Sequence, residues 1–335
     1  MVRHGESSAA ADPHPCAVYT LHGRHPSPEA PLHLAVGMFD GVHLGHQAVI
    51  RQAVAAAGKP GHFSGVLTFD PHPSHVLHPE NATAMLMPLP QRVGDMLALG
   101  VDQVLVQPFT IDYARRRAED FVPFLRNAFP GLESLHVGEN FRFGAGRGGD
   151  VTTLRGTAES LGLQVHALPR RRLDGDTISS SRIRAALVEG DVRTAGLMLG
   201  HPYVVDGRIV PGKGIGRQLD YPTLNVPWMP EARPRYGVYS VYLRRDGAEE
   251  ILPGIANYGL RPTIGISVDP LLEVHLFASC DVPVEGDHVR VALVDFIRPE
   301  KTFPGVRALR EQIREDVEKV RSHLSSGTDP GPPAF

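Results

Sequence analysis

The feature that most constrains the fold is a change of rhythm near residue 200. From Leu32, short apolar runs (LHLAVGMF, SGVLTF, QVLVQPF, SLHVGE, LQVHALP) alternate with segments of helical spacing (HQAVIRQAVAAAG, LPQRVGDMLALG, AEDFVPFLRNAF, VTTLRGTAESLG, SSRIRAALVEG). Such alternation predicts a parallel sheet with helices on its faces. From Tyr203 the runs YVVDGRIV, YGVYSVYLRR, ILPGIANY, LLEVHLF and HVRVALVDFIR follow one another with no long helix between them. That pattern predicts an antiparallel barrel or sandwich. One amphipathic segment follows, VRALREQIREDVEKVRSHL, with Val306, Leu309, Ile313, Val317 and Val320 on one face. It is predicted to close the barrel on one side.

These patterns divide the chain into four parts. Residues 1–30, rich in Pro, His, Ser and Ala without periodicity, are predicted to be a flexible tail. An α/β domain is expected over 31–200, a β domain with its closing helix over 201–324, and a disordered tail over 325–335.

Composition narrows the function classes. The 335 residues are 42% apolar and 21% charged, enough to bury a sizeable core. A formal net charge of -3 argues against a polyanion-binding surface and hence against a nucleic-acid partner. Two cysteines, Cys16 and Cys280, make neither a disulfide framework nor a Cys-rich zinc site, and they suit a reducing compartment. No apolar run approaches the ~18 residues of a membrane span, and MVRHGESSAAADPHP lacks the apolar core of a signal peptide. A cytoplasmic protein, monomeric or weakly homo-oligomeric, is the expectation.

Two glycine motifs tempt and are set aside. Gly207 to Lys213 fits the start of a phosphate-binding loop, but Gly214 stands where the Mg²⁺-binding hydroxyl belongs, and no helix is expected there. Gly144 to Gly149 matches GxGxxG, yet it follows the fourth strand of its domain, not the first.

The stretch VGMFDGVHLGH (36–46) carries more chemistry. His43 and His46 fall where a strand gives way to a helix, among glycines that let backbone approach a ligand. A metal site, core histidines and a phosphate clamp are the three readings. The metal reading needs a third ligand, which no HExxH or cysteine cluster supplies. A helix N-terminus already attracts phosphate through free N–H groups and the positive end of the helix dipole. Two imidazoles beside it would donate to oxygens whose charge grows in the transition state.

The motif resembles the HxGH signature of nucleotidylyltransferases in the variant of bacterial FAD synthetases. LTFDPHP (67–73), AEDFV (118–122), VGENFRFGAGRGGD (137–150) and ISSSRIR (178–184) resemble further family segments, in order. The resemblance implies an HxGH, Rossmann-like nucleotidylyltransferase domain. It implies catalytic roles for His43, His46, Asn140 and Arg184, and ATP contacts at Gly37, Phe39, Asp40, Gly41, Ser180, Ser181 and Arg184.

GRIVPGKGIGRQLDYPTLNV (207–226) resembles the riboflavin kinase signature, as do ANYGLRPTIG (256–265), LLEVHLF (271–277) and IRPEKTFPGVRALREQI. Amides of a glycine-rich loop can wrap phosphate oxygens, and Thr and Asn oxygens suit a Mg²⁺ that also carries ATP phosphates. The resemblance implies a β-barrel kinase domain with ATP or flavin contacts at Gly212, Lys213, Gly214, Gly216, Arg217, Pro222, Thr223, Asn225 and Arg261. It further implies Mg²⁺ at Thr223 and Asn225, and Glu273 as general base toward the ribityl 5′-hydroxyl. Asp220 departs from the family pattern, which has Gly there; a position needing positive φ would cost Asp something, and its carboxylate would repel phosphate.

The whole pattern covers roughly residues 32–322 and implies a bifunctional riboflavin kinase and FAD synthetase with ATP, riboflavin and FMN as substrates. A flavin sensor or carrier with a degenerate kinase domain, and an HxGH adenylyltransferase acting on another substrate, are the alternatives at this point.

Overall fold

The computed structural model describes residues 17–20, 27–212, 214–260, 269–278 and 282–325. The chain falls into two compact units, Met1–Ser180 and Ser181–Phe335.

The first unit is built on strands β1 (Ala17–Thr20), β2 (Leu32–Val36), β3 (Phe63–Asp70), β4 (Gln103–Pro108), β5 (Leu132–Gly138) and β6 (Gln164–Leu168). They lie in the order β1-β4-β3-β2-β5-β6, all neighbours parallel except β1, which runs antiparallel along β4. The strand β1 falls within the segment whose composition predicted a tail. Its four residues pair with Gln103–Val106 and cover an open sheet edge.

Helices α1 (Leu44–Ala56), α2 (Pro73–Leu77), α3 (Leu89–Ala98), α4 (Ile111–Ala114), α5 (Ala118–Ala128) and α6 (Val151–Glu159) connect the strands. All five residues of β2 are buried, as a strand covered on both faces requires. One core gathers Leu34, Val36, Leu67 and Leu135 with Phe121 and Leu125 of α5 and Leu154 of α6. The other gathers Ala35, Val66 and Val104 with Val49 and Ile50 of α1 and Met96 of α3. Chain order runs from β2 outward to β3 and β4 on one side, then to β5 and β6 on the other. The reversal lies between β2 and β5, where open α/β sheets bind ligands at the carboxyl ends of their strands. The 144–149 glycines close a turn by a Phe143–Gly149 bridge after β5, away from any first-strand position.

A short hairpin, β7 (Arg172–Leu173) and β8 (Asp176–Thr177), precedes α7 (Ser180–Glu189) and α8 (Val192–Leu199). Beyond Ser180 these helices pack with the second unit. The Arg235 amide donates to the Leu187 carbonyl at 2.9 Å, and Arg193 pairs with Asp295 at 3.2 Å.

The second unit holds β9 (Tyr203–Arg208), α9 (Ile215–Gln218), β10 (Leu224–Pro227), β11 (Gly237–Arg245), β12 (Ile251–Leu260), β13 (Pro270–Leu276), β14 (His288–Pro299) and α10 (Val306–Ser325). The six strands form one antiparallel sheet, β10-β13-β12-β11-β14-β9. Just beyond β9, Val210 bridges to Asn225 of β10, which brings the two ends of the sheet together as a barrel.

Helix α10 lays Val317 and Val320 on Val238 and Ile255, with Ile313 packed beside them. Val306, expected on the same face, is 68% exposed: it opens the helix before the first turn that meets the sheet. Arg298 of β14 donates to Asp316 of α10 at 2.8 Å, and Asp316 also accepts from Gln312 at 3.1 Å. Both members of the ion pair are largely buried. Removing one member strands the other without a partner. Asp316→Ala is therefore expected to cost about 3 kcal/mol. Urea unfolding followed by the single tryptophan, Trp228 of the second unit, measures it.

Candidate active sites

The loop from β2 to α1 builds the first site. Phe39, Gly41 and Val42 all take positive φ (50°, 81° and 39°), a costly conformation for Phe and above all for β-branched Val. Strain of this kind is held only where the surroundings over-determine it, and it clusters at functional loops. Several contacts hold it here. Phe39 is buried, with its ring against Gly37 and edge-on to His46 at 5.3 Å. Buried Asp40 accepts from the Leu86 amide at 2.9 Å. The Met38 carbonyl accepts from Thr68 Oγ1 at 3.0 Å and from Arg92 at 3.1 Å.

This loop delivers His43 as the N-cap of α1, where its Nδ1 accepts the His46 amide at 3.3 Å. Accepting there leaves the proton of the neutral ring on Nε2, so His43 keeps one N–H to donate. A Cβ on residue 45 would lie 3.1 Å from His43 Cε1, so Gly45 lets the ring fold over the helix start. The His43 and His46 rings stack at 3.6 Å, 17° from parallel. Burial lowers the His43 pKa to about 4. Burial, then the neighbouring His43 and Arg92, holds His46 well below the usual imidazole range. His46 Nδ1 is buried with no hydrogen-bond partner among the described residues. The pair thus stands neutral at pH 7, with N–H donors in place of fixed charge.

Asn140 sits in the turn after β5, the strand beside β2, and its Oδ1 lies over Gly138. That places it at the carboxyl edge of the sheet, the edge from which the histidine loop also leaves. Ser180 Oγ donates to the Asp40 carbonyl at 2.9 Å, which joins the start of α7 to the loop across 140 residues of sequence. Ser181 and Arg184 follow on α7, past the point where the first unit ends. Gly37 and Gly41 are elements of the loop itself.

Arg92 escaped the sequence reading. It is 1% exposed on α3 and donates to the Met38 and Phe69 carbonyls and to Asp70, tying the histidine loop to the end of β3. The available signal was its spacing with Val93, Met96 and Leu97, which places a guanidinium on the apolar face of an amphipathic helix.

In the second unit Asn225, Glu273 and Asn257 stand opposite one another on β10, β13 and β12. Period-two alternation puts all three on one sheet face, while Leu272 and Val274 fill the other. Asn257 was not singled out in the sequence, although it lies in the ANYG segment. The glycine-rich loop crosses this row. A Cβ at Gly212 would fall 2.1 Å from Asn225 Nδ2, and one at Gly216 would fall 2.4 Å from the Tyr221 carbonyl and 3.1 Å from Thr223 Oγ1. Backbone alone fits there. The Pro222 carbonyl is held by His275 at 2.9 Å, which fixes the PTLN segment on β13. Gly214 and Arg217 are exposed on and beside α9; Lys213 and Arg261 lie outside the described residues.

Asn225 is 5% exposed, and its Oδ1 has no hydrogen-bond partner among the described residues. A buried, unpartnered amide oxygen beside a Thr hydroxyl is the donor chemistry of a hard divalent cation, so these residues fit Mg²⁺. Asp220 does take positive φ, 65°, and its carboxylate pairs with Arg310 of α10. The charge that would repel phosphate has a cation of its own.

Two sites of this kind on one chain define a bimodular transferase: an α/β module built for nucleotide transfer and a barrel built to handle phosphate on a hydroxyl. Residues 25–182 match the FAD synthetase family and residues 199–324 the riboflavin kinase family. Bifunctional riboflavin kinase/FMN adenylyltransferases from Escherichia coli K12 and Haemophilus influenzae are each 35% identical, spanning 90% and 88% of this chain and 95% and 94% of their own. That of Bacillus subtilis is 32% identical over 92% of this chain and 98% of its own. A solved structure described as a macrolide-efflux protein from Streptococcus pneumoniae superposes with a TM-score of 0.78 at 27% identity, over 88% of this chain and 95% of that one. No helix among the described residues is long and apolar enough to cross a membrane. The chain belongs to the bifunctional riboflavin kinase/FMN adenylyltransferase family.

The buried imidazoles make stability depend on pH. An unfolded histidine binds its proton near pH 6.5, whereas His43 resists until about 4. The unfolded state therefore gains protons first, and stability falls as pH drops from about 6.5 toward 4. His43→Gln should remove up to one proton of that dependence, about 1.4 kcal/mol per pH unit. Denaturant titrations between those pH values read the slope.

Proposed function

We propose that this chain carries both activities of its family at the two sites described. The barrel phosphorylates riboflavin to FMN with ATP. The α/β module transfers AMP from a second ATP to FMN, giving FAD and pyrophosphate. The observation that carries the reading is the pairing of a neutral, helix-capping histidine stack in one unit with a glycine-wrapped Asn–Glu row in the other. We assign the working modules to residues 31–200 and 201–324, with the protein acting in the cytoplasm, monomeric or weakly associated.

At the first site the histidines donate hydrogen bonds to oxygens of the ATP α-phosphate. As FMN attacks, negative charge on those oxygens grows, and the donors strengthen with it. Because burial keeps the rings neutral, they hold less of the ground state than of the transition state. Asn140 lines the site near the incoming phosphate. Ser180, Ser181 and Arg184 grip the outer phosphates and help orient the leaving pyrophosphate. Gly37, Phe39, Asp40 and Gly41 form the loop that lets nucleotide approach, and Arg92 positions it.

At the second site the amides around Gly212, Gly214 and Gly216, with Lys213 and Arg217, cradle ATP phosphates. Pro222 and Arg261 help line the nucleotide or flavin pocket. Thr223 and Asn225 would hold Mg²⁺, which neutralises phosphate charge when bound. Glu273 accepts the proton of the riboflavin 5′-hydroxyl as that oxygen attacks the γ-phosphorus. Asn257, beside it in the same row, orients the carboxylate.

Incubating the protein with riboflavin, ATP and Mg²⁺ and separating the flavins should show FMN and then FAD. Riboflavin bound but unchanged would favour a sensor, and FMN left unadenylylated would overturn the synthetase assignment. His46→Ala should cut FAD formation about 100-fold while FMN continues to form. Glu273→Gln should slow FMN formation by about 10²–10⁴-fold while supplied FMN is still converted to FAD. Loss of both activities in either folded variant would refute the assignment of separate sites.

Gly212→Ala tests the cradle. Its methyl group must displace the Asn225 amide, and a shift of that size should lower kinase turnover about 100-fold. Adenylylation of supplied FMN serves as the internal control.

A further inference from the structure

The histidine loop leaves the carboxyl end of β2. At the opposite end of the same strands, three other side chains converge from three segments of the chain. His33 is the second residue of β2, Glu133 the second of β5, and His62 immediately precedes β3. His33 Nε2 lies 3.0 Å from His62 Nδ1, and each of these nitrogens lies 3.6 Å from Glu133 Oε2. The centre of that triangle is about 2 Å from every corner, the bond length of zinc to imidazole nitrogen and carboxylate oxygen.

The surroundings suit a ligand set. With Nε2 of His33 turned to a metal, its proton sits on Nδ1 and is donated to Ser134 Oγ at 2.7 Å. Ser134 can pass its own proton to His136 Nε2 at 2.8 Å. The His33 ring is then locked in one orientation, as partners behind metal-bound histidines do, and the chain ends on His136 Nδ1, which is buried with no hydrogen-bond partner among the described residues. His33 is buried, whereas the side chains of His62 and Glu133 are 18% and 47% exposed. An ion can therefore arrive from solvent and keep a water on its open side. Lys59 is the nearby cation that opposes it; the Glu133 carboxylate offsets that charge directly.

We propose that His33, His62 and Glu133 bind one Zn²⁺-class divalent ion, with water in the fourth position. The ion clamps β2 and β5 to the turn that leads into β3. Two imidazoles and one carboxylate favour zinc and its transition-metal neighbours over Mg²⁺ or Ca²⁺. This site is separate from the flavin chemistry proposed above and belongs to the stability of the α/β module.

The full-length chain, stripped with chelator, is titrated with Zn²⁺ and separately with Co²⁺. Wild type should bind one more Zn²⁺ per chain than His62→Ala or Glu133→Gln, which alter the two partly exposed members and spare the core. Co²⁺ should give tetrahedral-type visible bands in wild type that both variants lack. Zn²⁺ should raise the Tm of wild type and leave theirs unchanged. Ser134→Ala should weaken Zn²⁺ about tenfold by freeing the His33 ring, and His62→Cys should keep the ion. Equal stoichiometry and affinity in wild type and both folded variants would overturn the proposal. So would a Zn²⁺-induced Tm rise that persists in the variants, since other histidines would then be responsible.

Discussion

The His46 amide donates to the ring of His43, and the first site depends on that bond. It caps α1, fixes the His43 tautomer and sets the two rings in a stack. Gly45 leaves room for the ring, and the positive-φ residues before it turn the chain into position. The costs of that loop are met by buried partners: Arg92 and Thr68 on the Met38 carbonyl, and the Leu86 amide on Asp40. The same burial that supports the loop keeps the histidines neutral. In the function proposed above, a rigid neutral donor pair at the switch point of a parallel sheet is preorganised for charge that appears only during reaction.

The barrel reaches a comparable result by other means. Strand register aligns Asn225, Glu273 and Asn257, and the glycine loop presses backbone against the first of them. One face of the row remains polar because its neighbours on the same strands fill the core. The Asp220–Arg310 pair shows how a local departure is absorbed: α10 supplies the countercharge from 90 residues away in sequence.

Much of this was legible in the chain itself. Period-two and helical rhythms marked both modules, and ISSSRIR and GRIVPGKGIGRQLDYPTLNV marked the segments proposed for their sites. What stayed hidden involves partners distant in sequence. Arg92 reads as an ordinary helix residue until the carbonyls it serves are brought to it. Asn257 gains meaning only from its register with Glu273. Val306 fits the apolar stripe of α10, yet the sheet ends short of it. Ala17–Thr20 carries no strong pattern and becomes a strand because β4 offers an open edge.

The sequence by itself determined the fold classes of the two modules, their order and the short motifs to which the proposed chemistry is assigned. Those properties follow from local periodicity and from residue types spaced a few positions apart. Tertiary structure alone decided the charge of the histidine pair, the row across three strands, and the His33–His62–Glu133 triangle. Each depends on desolvation or on distances between segments 16 to 100 residues apart, which no local pattern encodes.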